Sequence, residues 1–584
     1  MNRLRRAYPW LLLSFMILSP LFPHGALSSE QEALEAVGRV FLSGRILDSH
    51  NEPVEEAHIQ VCIDDEVQEL YVQEKCLEEI ETADDGSYLL EFLAPEAFGP
   101  DTKVEVEIKK PSFRTTRIDF TGSDFARRGD SFFLHQDISI PRSLGPAFWI
   151  ATIIFLISYA LIAFELLHRT IAAMLGTAMI LAISYTIGTL NPEYHIISFE
   201  AAMAHIDMNV ILLLMGMMII VGVLKNTGVF QWTAYKCFQI ARGNVMVLSI
   251  VLMTFTAVSS ALLDNVTTML LLTPVTIEIA ILLRISPLAL LIPEVLASNV
   301  GGTATLIGDP PNIMIGSYTG LTFMAFVENL AILCSICMIA LFITNKFYYG
   351  ALYKTANVKE IDAFIQKLRE EYQITDRTLL GFGLGVLAFV VFLFISHGYW
   401  HMEVSVAALT GASILFTFGI LTKKVKMLEL IEKDIEWPTL LFFLFLFILV
   451  GCVEEAGLLS LIADWVLNFS QGNLVLATCL ILWVSAIMSA FVDNIPFTAT
   501  MLPITAYLSQ AIPGAENNVL WWALALGACY GGNGTIIGAS ANVVAMGIAE
   551  AAGYPIRFFD FMKVGFVYMV ISLVLANIWL LIFY

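Results

Sequence analysis

Two acid–amide pairs lie inside long apolar stretches of this chain, at Asp264-Asn265 and Asp493-Asn494. A carboxylate at membrane depth is energetically costly, so it is expected to ligate a cation or to carry a proton. The neighbouring amide oxygen would then be a second ligand, which makes both pairs candidate sodium sites. An alternative is that each Asp caps the helix that follows it, and the two roles are compatible.

A Gly-Gly step follows each pair, at Gly301-Gly302 and Gly531-Gly532. Glycine tolerates left-handed or strained backbone and lets an ion approach the main chain, although it also serves close helix packing. Threonine, serine and asparagine residues nearby supply further oxygens. The candidate residues for ion or substrate binding are Asp264, Asn265, Thr267, Asn299, Gly301, Gly302, Thr303, Asp309, Asn312, Asp493, Asn494, Thr498, Gly531, Gly532, Thr535 and Asn542.

These two groups belong to an internal repeat. SALLDNVTTMLLLTP (260–274) aligns with SAFVDNIPFTATMLP (489–503), and NVGGTATLIGDPPNIM (299–314) aligns with CYGGNGTIIGASANVV (529–544). A third match, between GVLKNTG and GCVEEAG, begins at Gly222 and Gly451 and keeps the same offset. Helix breaks at corresponding positions of two halves are the sequence pointer to a transporter's binding site.

The repeat is imperfect at one acidic position. Asp309 aligns with Ala539, and Pro310-Pro311 aligns with Ser540-Ala541. Proline cannot continue a helix, so a break is expected there. Asp309 is then either the asymmetric residue that selects or couples the substrate, or a turn former.

Apolar runs near 20 residues recur from about residue 147 to Tyr584, and each can cross a hydrocarbon core of about 30 Å as a helix. The chain is 58% hydrophobic and 14% charged, against about 25% charged residues in soluble proteins. This composition excludes a soluble enzyme for this part of the chain, and without strand-period alternation it also argues against a β-barrel. The predicted spans are approximately 147–167, 170–190, 207–224, 287–318 (broken), 322–345, 377–396, 403–421, 438–453, 519–553 (broken) and 562–584, with two interrupted stretches at 244–283 and 473–511.

The positions of basic residues predict how the two halves are oriented, because Lys and Arg favour the cytoplasmic side. Arg242 and Arg284 flank the first interrupted stretch, whereas no Lys or Arg occurs between Asp434 and Ile556. We therefore expect a re-entrant hairpin from the inside in the first half and one from the outside in the second. The two halves would be an inverted repeat.

The N-terminal part is expected to be exported. Residues 1–28 combine three early arginines, a short apolar run and the small-residue pattern Ala26-Leu27-Ser28, which indicates a secretory signal, with an uncleaved anchor as the alternative. Residues 30–140 hold 26 acidic against 10 basic residues. Their short alternating runs, separated by turn residues, predict a small β-sandwich in which Cys62 and Cys76 could form a disulfide.

The sequence thus divides into a signal peptide (1–28), an exported β-sandwich domain (29–145), a first transporter repeat (146–345), a cytoplasmic linker (346–376) and a second repeat (377–584). Most of the net negative charge lies in the exported domain, and nucleic-acid binding would need a basic face. Because the chain lacks a Walker motif, its transport should be coupled to an ion gradient, with sodium or a proton as the coupling ion and no other cofactor.

The run ASNVGGTATLIGDPPNIMIGS (297–317), with SAFVDNIPFTATMLP and GGNGTIIGASANVV, resembles the ion transporter superfamily. The branch it resembles includes arsenite permeases, D-type sodium/proton antiporters, the melanosomal P protein and citrate transporter-like domains. The resemblance covers about residues 150–584 and implies an elevator-type fold with paired hairpins and broken helices, usually as a homodimer. The run SGRILDSHNEPVEEAHIQV, followed by DDGSYLLEFL, resembles carboxypeptidase-regulatory-like modules.

Members of the dicarboxylate branch form sodium sites with Ser-Asn-Thr motifs, whereas Asp-Asn stands at the corresponding places here. The added negative charge makes dicarboxylate transport less expected and cation handling more so. The leading hypothesis is a secondary active transporter for a small inorganic ion, a sodium/proton antiporter in which Asp264 and Asp493 alternate between sodium and proton. The alternatives are an arsenite or other anion permease and, from another class, a membrane-anchored ligand sensor. We expect a multi-pass protein of a bacterial inner membrane, with its N-terminal domain on the extracytoplasmic side.

Overall fold

A computed structural model describes residues 39–355 and 372–584, apart from 49–52, 56, 64–65, 69, 73–74, 78–79, 84, 95–97, 111–112, 129–130 and 142, together with Gln366 and Glu370. The chain divides into two compact units between Ser143 and Leu144, close to the boundary predicted at residue 145. The predicted signal at 1–28 and the middle of the predicted linker lie outside the described residues.

The first unit is built of short strands in which buried and exposed side chains alternate, because successive residues of a strand point to opposite faces. The strands are β1 (Arg39–Leu47), β2 (His58–Ile63), β3 (Glu66–Val67), β4 (Leu70–Val72), β5 (Lys75–Leu77), β6 (Ile80–Glu81), β7 (Ser87–Leu93), β8 (Lys103–Lys109), β9 (Thr116–Thr121), β10 (Ala126–Arg128), β11 (Ser131–His135) and β12 (Ile138–Ser139). One sheet has the order β10-β11-β1-β12 with β7 beside β1, a second has β3-β2-β8-β9 with β6 beside β2, and β4 pairs with β5.

Both larger sheets contribute to one hydrophobic core. Val40 and Leu90 come from the first sheet, Val61 and Val106 come from the second, and all four are completely buried. This is the layered arrangement of a small β-sandwich. Cys62 on β2 carries a free thiol, and the side chain of Cys76 lies outside the described residues, so the disulfide stays a prediction.

The second unit is helical. Its helices are α1 (Pro146–Ala163), α2 (Arg169–Leu190), α3 (Phe199–Ala204), α4 (Met208–Lys225), α5 (Val229–Ala241), α6 (Val245–Leu262), α7 (Asn265–Leu282), α8 (Leu288–Thr303), α9 (Pro310–Thr319), α10 (Phe323–Tyr353), α11 (Arg377–Trp400), α12 (Val404–Leu421), α13 (Met427–Lys433), α14 (Trp437–Glu455), α15 (Leu458–Ser470), α16 (Leu474–Phe491), α17 (Asn494–Ala511), α18 (Val519–Gly531), α19 (Ser540–Ala551) and α20 (Phe558–Phe583). Within the described residues, 11 of these helices are long and apolar enough to cross a membrane.

The two interrupted stretches and the two broken spans occur where the sequence predicts them. The interrupted stretches become the pairs α6–α7 and α16–α17, and the broken spans become α8–α9 and α18–α19. Asn244 and Asn473 cap α6 and α16 through their side chains, as expected for asparagine before an apolar helix. We call the connections after α6 and α16, which carry the Asp-Asn pairs, the first tip and the second tip.

Element lengths repeat between the two halves. Helices α5 and α15 have 13 residues each, and α6, α7, α16 and α17 have 18 each. These helices therefore match in length at corresponding positions of the two halves, and the inverted repeat stays a prediction. The orientation of the halves in a membrane stays a prediction.

The packing between halves is reciprocal. Helix α7 packs against α19 and α17 packs against α9, while α2 packs against α14 and α12 packs against α4. In each case, a contact between two helices of different halves is matched by a contact between their two counterparts. Such reciprocal contacts are typical of a two-fold interface. The broken helices α8–α9 and α18–α19 consequently meet each other at the centre of the unit.

Candidate functional site

The two tips are short extended segments that end in a helix cap. Leu263 and Asp264 separate α6 from α7, and Asp264 Oδ1 accepts a hydrogen bond of 2.7 Å from the Thr267 backbone N–H. Asp493 Oδ1 accepts one of 3.2 Å from the Ile495 N–H. Both aspartates therefore cap the following helix, and each has a second carboxylate oxygen for another role.

The helix breaks are held together by two equivalent asparagine side chains. Asn312 Nδ2 donates to the carbonyls of Thr303 (3.0 Å) and Thr305 (2.8 Å). Asn542 Nδ2 donates to the carbonyls of Gly532 (2.7 Å) and Thr535 (2.8 Å). Backbone carbonyls left unpaired by a break need such partners at membrane depth, so these amide nitrogens have a structural role.

Side-chain contacts connect the halves across the centre. Asn299 Nδ2 donates to Asn533 Oδ1 and to Asn542 Oδ1, both at 3.0 Å. In the reciprocal position, Cys529 Sγ lies 3.7 Å from Asn312 Oδ1. All five residues are completely buried, so the centre is a polar core made jointly by the two broken helices.

Each tip adds its asparagine to this core. Asn265 Nδ2 lies 3.5 Å from Asn299 Oδ1, and Asn494 Nδ2 donates to Asp309 Oδ1 at 3.2 Å. Among the described residues, Asn265 Oδ1 and Asp309 Oδ2 are buried without a hydrogen-bond partner. Buried polar atoms are nearly always satisfied, and two unpartnered acceptors, one of them a carboxylate oxygen, are suited to a cation.

The second tip has an arginine beside its carboxylate. Arg169 Nη1 lies 2.9 Å from Asp493 Oδ2 and also contacts the Ser540 hydroxyl, which itself donates to Asp493 Oδ2 at 2.7 Å. The guanidinium group lies over the Phe442 ring, 5.1 Å from its centroid. The first tip has no such contact, because no basic group of the described residues lies within ion-pair distance of Asp264.

A cavity of about 480 Å³ opens onto this arginine. Its polar lining consists of Arg169, Asp493, Ser540, His168 and Glu165. Helix α19 begins at Ser540, so its N-terminus lies at the cavity wall, and helix N-termini favour anions. The cavity therefore combines an arginine with a half-helix N-terminus.

A further acid lies near the first tip. Glu436 precedes α14 and its Oε2 accepts from the Thr439 hydroxyl at 3.2 Å. Burial, and next the nearby Asp264 carboxylate, raise the pKa of Glu436 above its usual range, while Arg169 and Lys225 act in the opposite direction. Asp264 therefore has an acid nearby, whereas Asp493 contacts Arg169 directly.

The glycine steps pack helices together. Gly301, Gly302 and Gly531 lie in regular helices, and none of the Gly-Gly residues has a positive φ. A Cβ at Gly301 would lie 2.1 Å from the Ala257 carbonyl oxygen, and one at Gly531 would lie 2.5 Å from that of Ala486. The left-handed backbone considered from sequence does not occur here, and close approach of α8 to α6 and of α18 to α16 explains these glycines.

The structure brings many of the predicted site residues into this core: Asn265, Asn299, Asp309, Asn312, Asn494 and Asn542. The hydroxyls of Thr303, Thr498 and Thr535 instead donate to the backbone carbonyls of Asn299, Asn494 and Ala490. Thr267 contacts Asp264 through its backbone N–H.

Sequence reasoning missed Arg169, Cys529 and Asn533. Nothing local in the sequence links Arg169 to Asp493, which is 324 positions away. Cys529 and Asn533 could have been found, because the repeat aligns them with Asn299 and Thr303.

Eleven apolar helices, a repeated helical architecture and a polar core formed by broken helices define a multi-pass membrane transporter. Comparison with known proteins agrees with this class. The chain belongs to the citrate transporter family (CitMHS), which matches residues 159–527.

Several similar proteins are known, and some of them are described as transporters. Uncharacterized transporters of Mycobacterium bovis and Mycobacterium tuberculosis are each 42% identical over 435 residues, covering 74% of this chain and 97% of the relative. The P protein of Homo sapiens is 35% identical over 508 residues, and the match spans 59% of its length. A solved structure of the Alcanivorax borkumensis YdaH transporter aligns over 71% of this chain with 13% identity and a TM-score of 0.45.

Proposed function

We propose that this protein is a secondary active transporter that exchanges sodium for protons across a bacterial inner membrane. The observation that supports this most directly is the pair of buried, unpartnered acceptors Asn265 Oδ1 and Asp309 Oδ2. They belong to the first tip and the first broken helix. The second half supplies Asn494, which donates to Asp309, and Asn299 of the first half lies beside Asn265. A sodium ion or a proton would satisfy them.

The sequence suggested that Asp264 and Asp493 share the exchange, and the contacts argue for an unequal division. Asp264 has a capping bond, an acidic neighbour and no basic partner among the described residues. Asp493 is occupied by Arg169 and Ser540. Cation and proton would therefore compete at Asp264, Asn265 and Asp309, while Asp493 sets the position of Arg169.

Reciprocal packing supports the rest of the proposed architecture. We propose that the halves are inverted in the membrane, with one hairpin entering from each side, and that the two tips and two broken helices move together past the remaining helices in a homodimer. The N-terminal β-sandwich would lie on the extracytoplasmic side.

The test is ion flux in proteoliposomes that contain the full-length protein. An imposed sodium gradient should drive proton movement in the opposite direction, and Asp264→Asn, which preserves a capping side chain, should reduce that flux at least tenfold. Asp560→Asn, at an exposed surface position, is the matched control and should leave the flux unchanged. Sodium-independent flux, or full flux in Asp264→Asn, would contradict antiport at this site.

The cavity at Arg169 favours a second candidate function, which is transport of an anion. An arginine and a helix N-terminus are the groups that bind carboxylates or oxyanions, and the family is described as citrate transporters. The same vesicles should then accumulate radiolabelled citrate or arsenite under a sodium or proton gradient. Arg169→Gln would abolish that uptake but would leave sodium-dependent proton flux without added anion unaffected.

A further inference from the structure

Glu294 is a buried acid that the two tips do not account for. It lies in the middle of α8, directly after Pro293, and is completely buried. Its Oε1 accepts a hydrogen bond of 3.0 Å from the Thr256 hydroxyl on α6. Its Oε2 is buried beside the Thr276 hydroxyl, and among the described residues neither atom makes a hydrogen bond of ordinary geometry.

The elements packed around Glu294 provide hydroxyl and thiol groups, and none of their basic residues, Lys236 on α5 included, is buried. Thr256 faces it from α6, Thr276 from α7 and the Cys237 thiol from α5. The charged residues on the other helices packed against α8 and on α7 are Glu278, Glu328, Lys346, Glu550, Asp560 and Lys563, and none of them is buried. An ionised carboxylate in such a place is strongly disfavoured, whereas a protonated carboxyl group is not.

The second half has the same polar groove without the acid. At the repeat offset, Thr256 corresponds to Ser485, Thr276 to Thr505 and Glu294 to Leu524. Among the described residues, the hydroxyls of Ser485 and Thr505 are buried without partners. The groove itself therefore belongs to the repeat, and the titratable group is specific to the first half.

A pair of serines lies between Glu294 and the first tip. Ser298 and Ser260 are each four residues, or about one helical turn, further along their helices than Glu294 and Thr256. Ser298 Oγ lies 3.2 Å from Ser260 Oγ and 3.5 Å from the Asn265 carbonyl oxygen, and Ser260 Oγ donates to the Ser298 carbonyl at 2.8 Å. In the second half, Ala528 stands in place of Ser298. The counterpart of Ser260 is Ser489, whose hydroxyl donates to the Ala528 carbonyl.

We infer that Glu294 is a separate proton-binding site of the first half, connected to the first tip by Ser260 and Ser298. Two oxygen-bearing side chains, Thr256 and Thr276, surround it. A hard cation such as Ca²⁺ takes six or more oxygens, so the ligand of Glu294 is a proton and not a metal ion. The proton comes from water that reaches the first tip, passes along the Ser298 and Ser260 hydroxyls and binds Glu294 Oε2. It leaves by the same route. Each transfer forms one O–H bond and breaks one O–H bond. As a step of transport, this inference rests on the proposed exchange.

The first experiment does not depend on transport. Infrared spectra of the purified full-length protein in detergent, recorded near neutral pH, should contain a carbonyl-stretch band of a protonated carboxylic acid that Glu294→Gln removes. Glu294→Leu introduces the residue found at the corresponding position of the second half, Leu524. It is the second variant in case the glutamine amide of Glu294→Gln disturbs folding. Glu550→Gln at an exposed position should leave the band intact. Other protonated carboxyl groups contribute to the same spectral region, so the readout is the difference between unmodified and variant spectra. A band whose amplitude is the same in the unmodified protein and in both Glu294 variants would overturn the inference.

Flux measurements then test the connection to the tip. Glu294→Gln should lower sodium-driven proton flux at least tenfold while radiolabelled sodium still binds to the purified protein. Ser260→Ala should slow that flux several-fold, whereas Ser489→Ala, its counterpart beside a groove without an acid, should not. Unchanged flux in Glu294→Gln would overturn the inference but not the antiport. Absence of exchange in the unmodified protein would overturn the antiport, and the infrared band would still decide whether Glu294 holds a proton.

Discussion

The two tips carry the same residue pair and differ in what lies beside the carboxylate. Asp493 contacts Arg169, at the first residue of α2, whereas the corresponding helix of the second half, α12, begins with the apolar Val404. Asp264 instead has the acid Glu436 nearby. Repetition of the Asp-Asn motif therefore does not repeat its electrostatics, because the partner of each aspartate comes from a different helix of the fold.

Neutralising the paired carboxylate should have the largest effect on stability. In Asp493→Asn the Arg169 charge loses its counter-ion, and breaking a buried ion pair costs about 3–5 kcal/mol. Since the Arg169 side chain is 23% exposed, we expect a smaller loss, about 2 kcal/mol, in the free energy of unfolding measured in detergent. Arg169→Gln combined with Asp493→Asn should recover part of that loss. Equal stability of Asp493→Asn and Asp264→Asn would remove the distinction between the tips.

Glycine substitutions should show which helix contact beside the tips is tighter. Gly301→Ala places a Cβ 2.1 Å from a backbone oxygen, and Gly531→Ala places one at 2.5 Å. Overpacking typically costs about 1–3 kcal/mol, and we expect Gly301→Ala to lower the melting temperature more than Gly531→Ala. Gly547→Ala on α19 is the control, because its Cβ would meet nothing within 4 Å and should leave the melting temperature unchanged or slightly higher.

Neutralising Asp309, an acid of the first half that aligns with Ala539 in the second, should lower transport with little effect on stability. Asp309→Asn keeps an oxygen for Asn494 Nδ2 and removes a buried charge that has one unpartnered oxygen. We expect unfolding free energy to change by less than about 1 kcal/mol, while sodium-driven proton flux falls at least tenfold. Full flux in a folded Asp309→Asn protein would show that the asymmetric acid has no part in ion binding.

The smallest expected effect is a pH dependence at the first tip. Because the pKa of Glu436 is raised by burial and by Asp264, the folded protein binds this proton more tightly than the unfolded chain does. Its contribution to stability is complete below the unfolded value of about 4.3 and is lost as the pH rises through the folded value. Melting temperatures of the unmodified protein should therefore decline relative to Glu436→Gln over this range. Asp264→Asn should make the decline shallower.

Much of the architecture could be predicted because apolar length and the repeat are local properties of the sequence. The breaks near Gly301 and Gly531, the caps Asp264 and Asp493 and the order of helices in both halves follow from residue types at fixed spacing. Partners distant in sequence could not be predicted in this way. Arg169 and Asp493 are 324 positions apart, and no local pattern tells whether an arginine at a helix start faces solvent or a carboxylate.

Glu294 was missed for a different reason. It belongs to no repeated motif, since it lies opposite Leu524, and no local pattern shows that an acid within an apolar helix is buried against other helices. Hydrogen bonding then showed that Thr256 holds one of its oxygens while the other makes no hydrogen bond of ordinary geometry among the described residues.

The amide groups of Asn312 and Asn542 have a consequence for motion. Each bridges two carbonyls on the far side of its helix break, so that the two segments of a broken helix are cross-linked by short hydrogen bonds. A break fastened in this way is a poor hinge, because bending there would expose two buried carbonyls at once. Conformational change should therefore leave each broken helix rigid and displace it whole, and the flexible joints should be sought in the connections that lead into and out of these helices.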